Sequence, residues 1–300
     1  MRIVFFGTPD FAVASLEEIS KYFEIVAVVT APDKVGGRGH KLIESAVKIW
    51  AKTQNYRIFQ PKNLKSERFQ QNLKQLNPDL FVVVAFRMMP VSLWGIPPLG
   101  TINLHGSLLP KYRGAAPIQR AIQHGEQFTG LTTFLIKAEI DTGDLLLQQE
   151  IQIDPNESFG ELYDKMKKLG GHLLVKTIQA LESGEIVPIS QSDELSSSAP
   201  KITHEDLMID WNRSVIEIHN QIRAFSPSPG TITQHEGQLY KIFKALPVLE
   251  NHKSNPGEWK IEKPKNLFIF GKDGYIQVLE IQPASKRKMS VEEFLNGLKN

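Results

Sequence analysis

Three hundred residues exceed the length of one ordinary domain, so two domains are the expectation, and 41% hydrophobic residues supply ample core material. A formal charge of +2 gives no strong basic or acidic footprint, and residues 226–300, with eleven Lys and Arg against eight Asp and Glu, tilt only to +3. The absence of cysteine excludes disulfides, cysteine–zinc sites and thiol catalysis. No stretch reaches the roughly 18 apolar residues that span a bilayer, and the N-terminal apolar run is broken by Gly7, Pro9 and Asp10, so a cytoplasmic protein is expected.

The chain opens on an apolar run at 1–6 that suits a buried parallel strand, then a Gly7-Thr-Pro-Asp10 turn and a helix to about Lys21. Gly-x-Gly-x-x-Gly is missing, so the dinucleotide fingerprint is not met, and a plain strand-to-helix connection capped by Thr8 or Asp10 fits the turn equally well. Residues 24–30, with Val26, Val28 and Val29, read as the second strand. Three glycines and four basic residues at 32–41 argue against a regular element and for a mobile loop. Helices near 45–53 and 66–76 flank a short strand at 57–60; residues 80–85 are so uniformly apolar that they read as a central strand covered on both faces.

At 100–105 apolar and polar residues alternate, which puts Asn103 and His105 on one face of a strand that ends in a glycine-, serine- and proline-rich run. A helix at 115–124 and strands at 129–135 and 145–153 follow, with Asp141-Thr-Gly-Asp144 between the strands. Ser158-Phe-Gly-Glu161 is a capping box opening a long helix with Leu162, Met166 and Leu173 on its inner face, ending before Gly184. Residues 185–206 contain Pro188, a serine run and no periodicity, and read as a linker between a domain at 1–184 and another at 207–300. A helix at 214–225 and short strands at 231–234, 239–246, 259–261, 267–270 and 275–281 fit a small barrel of the oligonucleotide-binding class. Lys241, Lys244, Lys272, Lys286, Arg287 and Lys288 are its candidate phosphate-tracking surface.

Asn103, His105 and Asp141 form a coherent set for moving a carbonyl-level group onto an amine. An amide donates to an oxyanion, an imidazole handles a proton near neutral pH, and a carboxylate orients the imidazole or steadies its charged form. Without cysteine or a Gly-x-Ser-x-Gly elbow, direct transfer is favoured over an acyl-enzyme route. From spacing alone a capping asparagine, a satisfied buried histidine and an ordinary turn are favoured over the catalytic set.

The run Asn103-Leu-His-Gly-Ser-Leu-Leu-Pro-Lys-Tyr-Arg-Gly-Ala-Ala-Pro117 followed by Asp141-Thr-Gly, together with Phe5-Phe-Gly-Thr-Pro-Asp-Phe11, the loop ending Gly-Arg38-Gly-His-Lys-Leu42 and Ile222-Arg-Ala-Phe-Ser-Pro, resembles the 10-formyltetrahydrofolate-dependent formyltransferases. The likeness is strongest to those members that act on methionyl-tRNA. It implies a Rossmann-like, mostly parallel α/β domain followed by an OB-like barrel, catalysis by Asn103, His105 and Asp141, and 10-formyltetrahydrofolate as formyl donor with no metal. It further implies folate contacts from Phe86, Arg87, Met88, Ser107, Leu108, Leu109, Pro110 and Asp144. Phe11 and Arg113 would face the acceptor, and Arg38, with His40 and Lys41, would contact the acceptor stem of initiator Met-tRNA. A monomer is expected. Residues 86–90 depart from the pattern, in which a Tyr-Gly start and aliphatic residues are usual; backbone groups hold the pterin in relatives. Competing readings are a sugar-nucleotide N-formyltransferase with the same donor, a non-catalytic nucleic-acid-binding protein on this scaffold and, weakest, a Rossmann dehydrogenase.

Overall fold

A computed structural model describes residues 1–36 and 41–298, and of Lys41 only the backbone. Its elements begin β1 (Arg2–Gly7), α1 (Asp10–Ser20), β2 (Glu24–Val29), β3 (Lys34–Gly36), β4 (Lys41–Ile43), α2 (Ala46–Thr53), β5 (Ile58–Phe59), α3 (Glu67–Lys74), β6 (Leu80–Val84) and α4 (Val91–Trp94). They continue with β7 (Thr101–His105), β8 (Arg113–Gly114), α5 (Pro117–Gln123), β9 (Phe128–Leu135), β10 (Leu145–Gln152), α6 (Phe159–Ser183) and β11 (Ser198–Ala199). The last are α7 (Val215–Ala224), β12 (Thr231–His235), β13 (Gln238–Leu249), β14 (Trp259–Glu262), β15 (Asn266–Phe270), β16 (Gly274–Pro283), β17 (Met289–Ser290) and α8 (Val291–Gly297). Among the described residues no helix is long and apolar enough to cross a membrane.

Two units form. The first comprises Met1–Gly114, Thr129–Ile151 and Tyr163–Ala199; the second comprises Ala115–Phe128, Gln152–Leu162 and the chain from Pro200 onward. Residues 185–199, which composition marks as linker, are threaded into the first unit: Ile189 bridges to Leu145, and β11 pairs with β8. Residues 115–128 go with the second unit because the Arg120 guanidinium is paired with Asp206 at 2.7 Å and the Arg223 guanidinium donates to the Ile122 carbonyl. Such pairings join residues about a hundred positions apart, and no local pattern announces them.

The sheet of the first unit runs β10-β9-β7-β6-β1-β2-β5. Strands β5, β2, β1, β6 and β7 are parallel, and β9 lies antiparallel to β7. This is the Rossmann-like sheet expected. Its central strands are buried on both faces, β6 at all five positions, as a parallel sheet covered by helices requires. Phe6 and Phe81 meet at 5.0 Å in this core, and replacing either fully buried ring by alanine would cost roughly 3–5 kcal/mol. The chain leaves β1 for β2 on one side and returns to β6 on the other. The loops after β1 and β6 therefore open the crevice where such sheets take ligands.

Residues 32–41, expected to be irregular, begin and end as a hairpin: Lys34 pairs with Ile43, Val35 with Leu42 and Gly36 with Lys41. The β-favouring Val35, Leu42 and Ile43 flank the glycines and outweigh them.

In the second unit the antiparallel sheet runs β12-β13-β16-β15-β14, with β17 on β16. A register shift at residues 242–245 of β13 bends the long β13/β16 pair, as a bulge does. The edge strands β12 and β14 meet through His235 and Trp259, stacked 4.1 Å apart at 7°, which curls the sheet toward the expected barrel. Helix α7 opens on a Ser214/Glu217 capping box and buries Val215, Ile218 and Ile222 in the core shared with β13, β15, β16 and α8.

Candidate active site

Strand β7 delivers the first two residues. Its alternation puts Asn103 and His105 on one face, Asn103 half-buried and His105 buried. The Asn103 side chain has no hydrogen-bond partner among the described residues, so a donor amide beside a buried imidazole is left for another molecule. His105 Nε2 lies 2.8 Å from the carbonyl oxygen of Tyr112. A carbonyl only accepts, so Nε2 carries the proton and Nδ1 is the nitrogen facing Asp141.

Asp141 reaches that nitrogen by a loop that doubles back. Strand β9 ends at Leu135, opposite Ile102; the loop at 136–144 is tied at its start by the Ile136 N–H to the Thr101 carbonyl and closed by the Leu135 N–H to the Asp144 carbonyl, and it carries Asp141 Oδ2 to 3.6 Å from His105 Nδ1. The same oxygen accepts the Gly114 N–H at 2.8 Å. Both partners of His105 stand in left-handed backbone, Tyr112 at φ +62° and Asp141 at φ +55°. The turn at Gly143 is obligatory, since an added Cβ would lie 1.5 Å from the Leu135 carbonyl oxygen. Asp144 braces the loop: Lys137 donates to its carboxylate at 2.7 Å and Ser190 at 3.0 Å. The Lys137 bond holds the Asp144 carboxyl below the usual carboxylate range against the opposing effect of burial.

The segment after β6 presents peptide groups. Ala85 is turned into positive φ, and among the described residues no protein group bonds the N–H or C=O of Phe86, Arg87 or Met88. Phe86 packs edge-on against Phe6 at 5.6 Å, Arg87 donates to the carbonyls of Pro61 and Lys62, and Met88 is 69% exposed. The departure from the family pattern thus falls on side chains that anchor the segment or face solvent, while the backbone stays available. Residues 107–110 build the turn that aims Tyr112 at His105. Ser107 Oγ donates to the Lys111 carbonyl at 2.6 Å, and Thr132 Oγ1 donates to the Ser107 carbonyl and accepts the Leu109 N–H. Ser107 and Leu109 are buried, whereas Leu108 and the cis Pro110 are half-buried.

Phe11 is buried, its ring edge-on to Tyr163 at 5.2 Å, and its N–H donates to the Tyr163 hydroxyl oxygen. That hydroxyl donates to Asp10 at 2.6 Å, and Lys167 also reaches Asp10. Burial pushes the Asp10 carboxyl up, but the bonds from Tyr163 and Lys167 outweigh it and hold the group low. Arg113 points its guanidinium at Gln191 and Asp193. Arg38 and His40, and the Lys41 side chain, lie outside the described residues. The ends of their loop are tied together: Lys48 Nζ bonds Asp33 before the hairpin at 2.5 Å and Glu44 after it at 2.7 Å.

Sequence reasoning missed Tyr112, Thr132, Tyr163 and Gln191. Tyr112 sits inside the quoted motif, but its role depends on a carbonyl, which carries no residue-type signal. Gln191 falls in a stretch without periodicity, and no signal there points to it.

The formyl transferase family model matches residues 1–178, and the model of the formyl transferase C-terminal domain matches residues 201–299. The chain is 44% identical to the methionyl-tRNA formyltransferase of Porphyromonas gingivalis, over 99% of this chain and 95% of that one. It is likewise 44% identical to the methionyl-tRNA formyltransferase of Flavobacterium johnsoniae, over 99% and 96%. Among solved structures it resembles the sugar 3N-formyl transferase WlaRD (TM-score 0.69, 23% identity, 96% and 99% of the two chains) and HypX from Aquifex aeolicus in complex with tetrahydrofolic acid (TM-score 0.67, 18% identity, 100% and 48%). With the two family models in the expected order and a sequence shared nearly end to end with those relatives, the chain belongs to the formyltransferase family, among its methionyl-tRNA formyltransferases.

Proposed function

We propose that the chain transfers the formyl group of 10-formyltetrahydrofolate to the free α-amine of methionine on initiator Met-tRNA, giving formylmethionyl-tRNA for translation initiation. The observation that carries this reading is the unpartnered Asn103 amide beside the His105–Asp141 pair, in a chain 44% identical to enzymes named for this activity. The methionine α-amine attacks the formyl carbon, and Asn103 donates to the oxyanion as that carbon becomes tetrahedral. His105 helps move the amine proton to the departing folate nitrogen, whose bond to the formyl carbon then breaks. When the imidazole takes up a proton, Nε2–H keeps the Tyr112 carbonyl and Nδ1–H faces the Asp141 carboxylate. Two such helpers are each worth roughly a hundred- to a thousand-fold in rate.

The free peptide groups of Phe86, Arg87 and Met88 fit the edge of a pterin, which offers alternating donors and acceptors. Leu108, Leu109 and Pro110 supply an apolar wall, and Ser107 and Asp144 act through the turns they brace. For the acceptor, an α-amine common to all charged tRNAs gives no discrimination, so specificity falls to the loop carrying Arg38, His40 and Lys41 and to the second unit. Phe11, steadied by Tyr163, adds a methionine preference of about 1–3 kcal/mol, the worth of one methylene in an apolar pocket. Arg113 supports the site from behind through Gln191.

The test is formyl transfer from 10-formyltetrahydrofolate to initiator Met-tRNA, run beside elongator Met-tRNA and an amino-sugar nucleotide. Transfer confined to the initiator is expected. Transfer only to the sugar would overturn the acceptor while keeping the chemistry, and no transfer at all would leave a binding protein.

A further inference from the structure

Gln191 is half-buried, and its side-chain amide is used in full. Both Nε2 hydrogens go to carbonyls of the doubled-back loop, Asp141 at 2.9 Å and Gly143 at 2.7 Å. Oε1 accepts twice from Arg113, at 3.1 Å from Nε and 2.9 Å from Nη2. Arg113 is itself fixed by Asp193 at 2.8 Å and by its N–H to the Ser197 carbonyl at 2.8 Å.

We infer that Gln191 is a positioning residue for formyl transfer, clamping the left-handed Asp141 peptide so that its carboxylate stays on His105. The inference rests on the reading of Asp141 as the partner of the catalytic imidazole.

Three facts carry it. The amide has one permitted orientation: a flip would set Oε1 against two carbonyl oxygens and the NH2 group against a guanidinium, turning four attractions into four repulsions. The clamp grips the strained site itself, because Asp141 at φ +55° sits in a region that costs an L-residue roughly 1–2 kcal/mol and persists only if its surroundings over-determine it. Finally, Arg113 leads directly into Gly114, whose N–H holds the other end of Asp141. One segment thus fixes the Asp141 carbonyl through Gln191 and its carboxylate through a peptide N–H.

The test is steady-state and single-turnover formylation of initiator Met-tRNA by Gln191→Leu and Gln191→Glu in the full chain. Leucine keeps the bulk and removes both donors. Glutamate keeps Arg113 but faces the two carbonyls with oxygen. Each is expected to lower kcat by about 100-fold, the scale of an ångström-sized misplacement of a catalytic group, with KM for both substrates within twofold and Tm within a few degrees. In an Asp141→Ala background Gln191→Leu is expected to cost nothing further, since the group it positions is gone. Wild-type kcat in both single variants, with Asp141→Ala inactive, overturns the inference alone. So does an equal loss in the Asp141→Ala background, which would mark a merely structural role. Full activity of Asp141→Ala would instead overturn the reading of Asp141 on which the inference rests.

Discussion

Asp141→Asn isolates the charge that this site places on His105. Asparagine tolerates left-handed backbone better than most residues, so the loop at φ +55° keeps its shape, and the amide oxygen still accepts the Gly114 N–H. Only the negative charge 3.6 Å from Nδ1 disappears. Two unit charges at that separation interact by about 4–5 kcal/mol at an effective dielectric of 20, and by about 1 kcal/mol in bulk water. The Asp141 side chain is 12% exposed, which places the site between these limits. Because the imidazole is only partly charged while the proton is in flight, about 2 kcal/mol is the central value, with about 4 as a ceiling. At roughly 1.4 kcal/mol per tenfold, kcat falls about thirty-fold and at most about a thousand-fold. Single-turnover formylation with both substrates saturating reads this directly, and a thermal melt confirms that the variant is folded. A folded Asp141→Asn enzyme with kcat within threefold of the parent would refute the electrostatic role.

Gly114→Ala is expected to lose activity as well as stability, because its Cβ would sit 2.6 Å from the Ala199 carbonyl oxygen at φ +127°; kcat and Tm should fall together, unlike the Gln191 variants. Arg38→Ala should raise KM for tRNA while leaving folate affinity unchanged, read by equilibrium folate titration beside kinetics; a joint loss would show that the loop assignment is wrong. His219 is buried in α7, and burial, then the neighbouring Arg223, push its pKa from 6.5 down to about 4. The unfolded chain therefore binds more protons than the native one between those values, and stability is lost as pH falls through that window, roughly 2 kcal/mol by pH 5. Urea midpoints at pH 7 and pH 5 measure the loss, and His219→Leu should abolish it. Asp206, held by Arg120 at about 2, adds a second loss only below pH 3.8, again as pH falls.

What was legible in the sequence was whatever depends on local periodicity. The strict apolar run at Leu80–Val84 marks a central strand buried throughout, and the alternation through Asn103 and His105 puts both residues on one face of β7; both strands stand in the structure as read. The Ser158 capping box is equally local, and it forms with Glu161. The pairing of residues 34–36 with 41–43 was obscured because glycines and charges dominate the composition of that stretch of sequence. The assignment of residues 115–128 to the second unit rests on Arg120 with Asp206 and Arg223 with the Ile122 carbonyl, contacts that no window of sequence contains. Gln191 was the least legible of all: one amide in an aperiodic stretch, defined only by what folds against it.

That division has a physical reason. A strand places side chains by its period, so Asn103 and His105 follow from their positions in β7 alone. The atoms that complete the site are instead delivered by two residues in left-handed backbone, Tyr112 through its carbonyl and Asp141 through its carboxylate. Neither conformation is one that its own residue prefers. Each is imposed from outside, Tyr112 by the Ser197 hydroxyl on its N–H at 2.9 Å and Asp141 by Gly114 and Gln191. Both restraining groups, Ser197 and Gln191, come from residues 185–199, a segment whose regular structure amounts to a three-residue 3-10 turn at Asp193–Leu195 and the two-residue strand β11. A connection that packs little apolar surface but holds both strained partners of one histidine is retained for geometry rather than for stability. Shortening it between Gln191 and Ser197 should therefore reduce kcat far more than it reduces Tm.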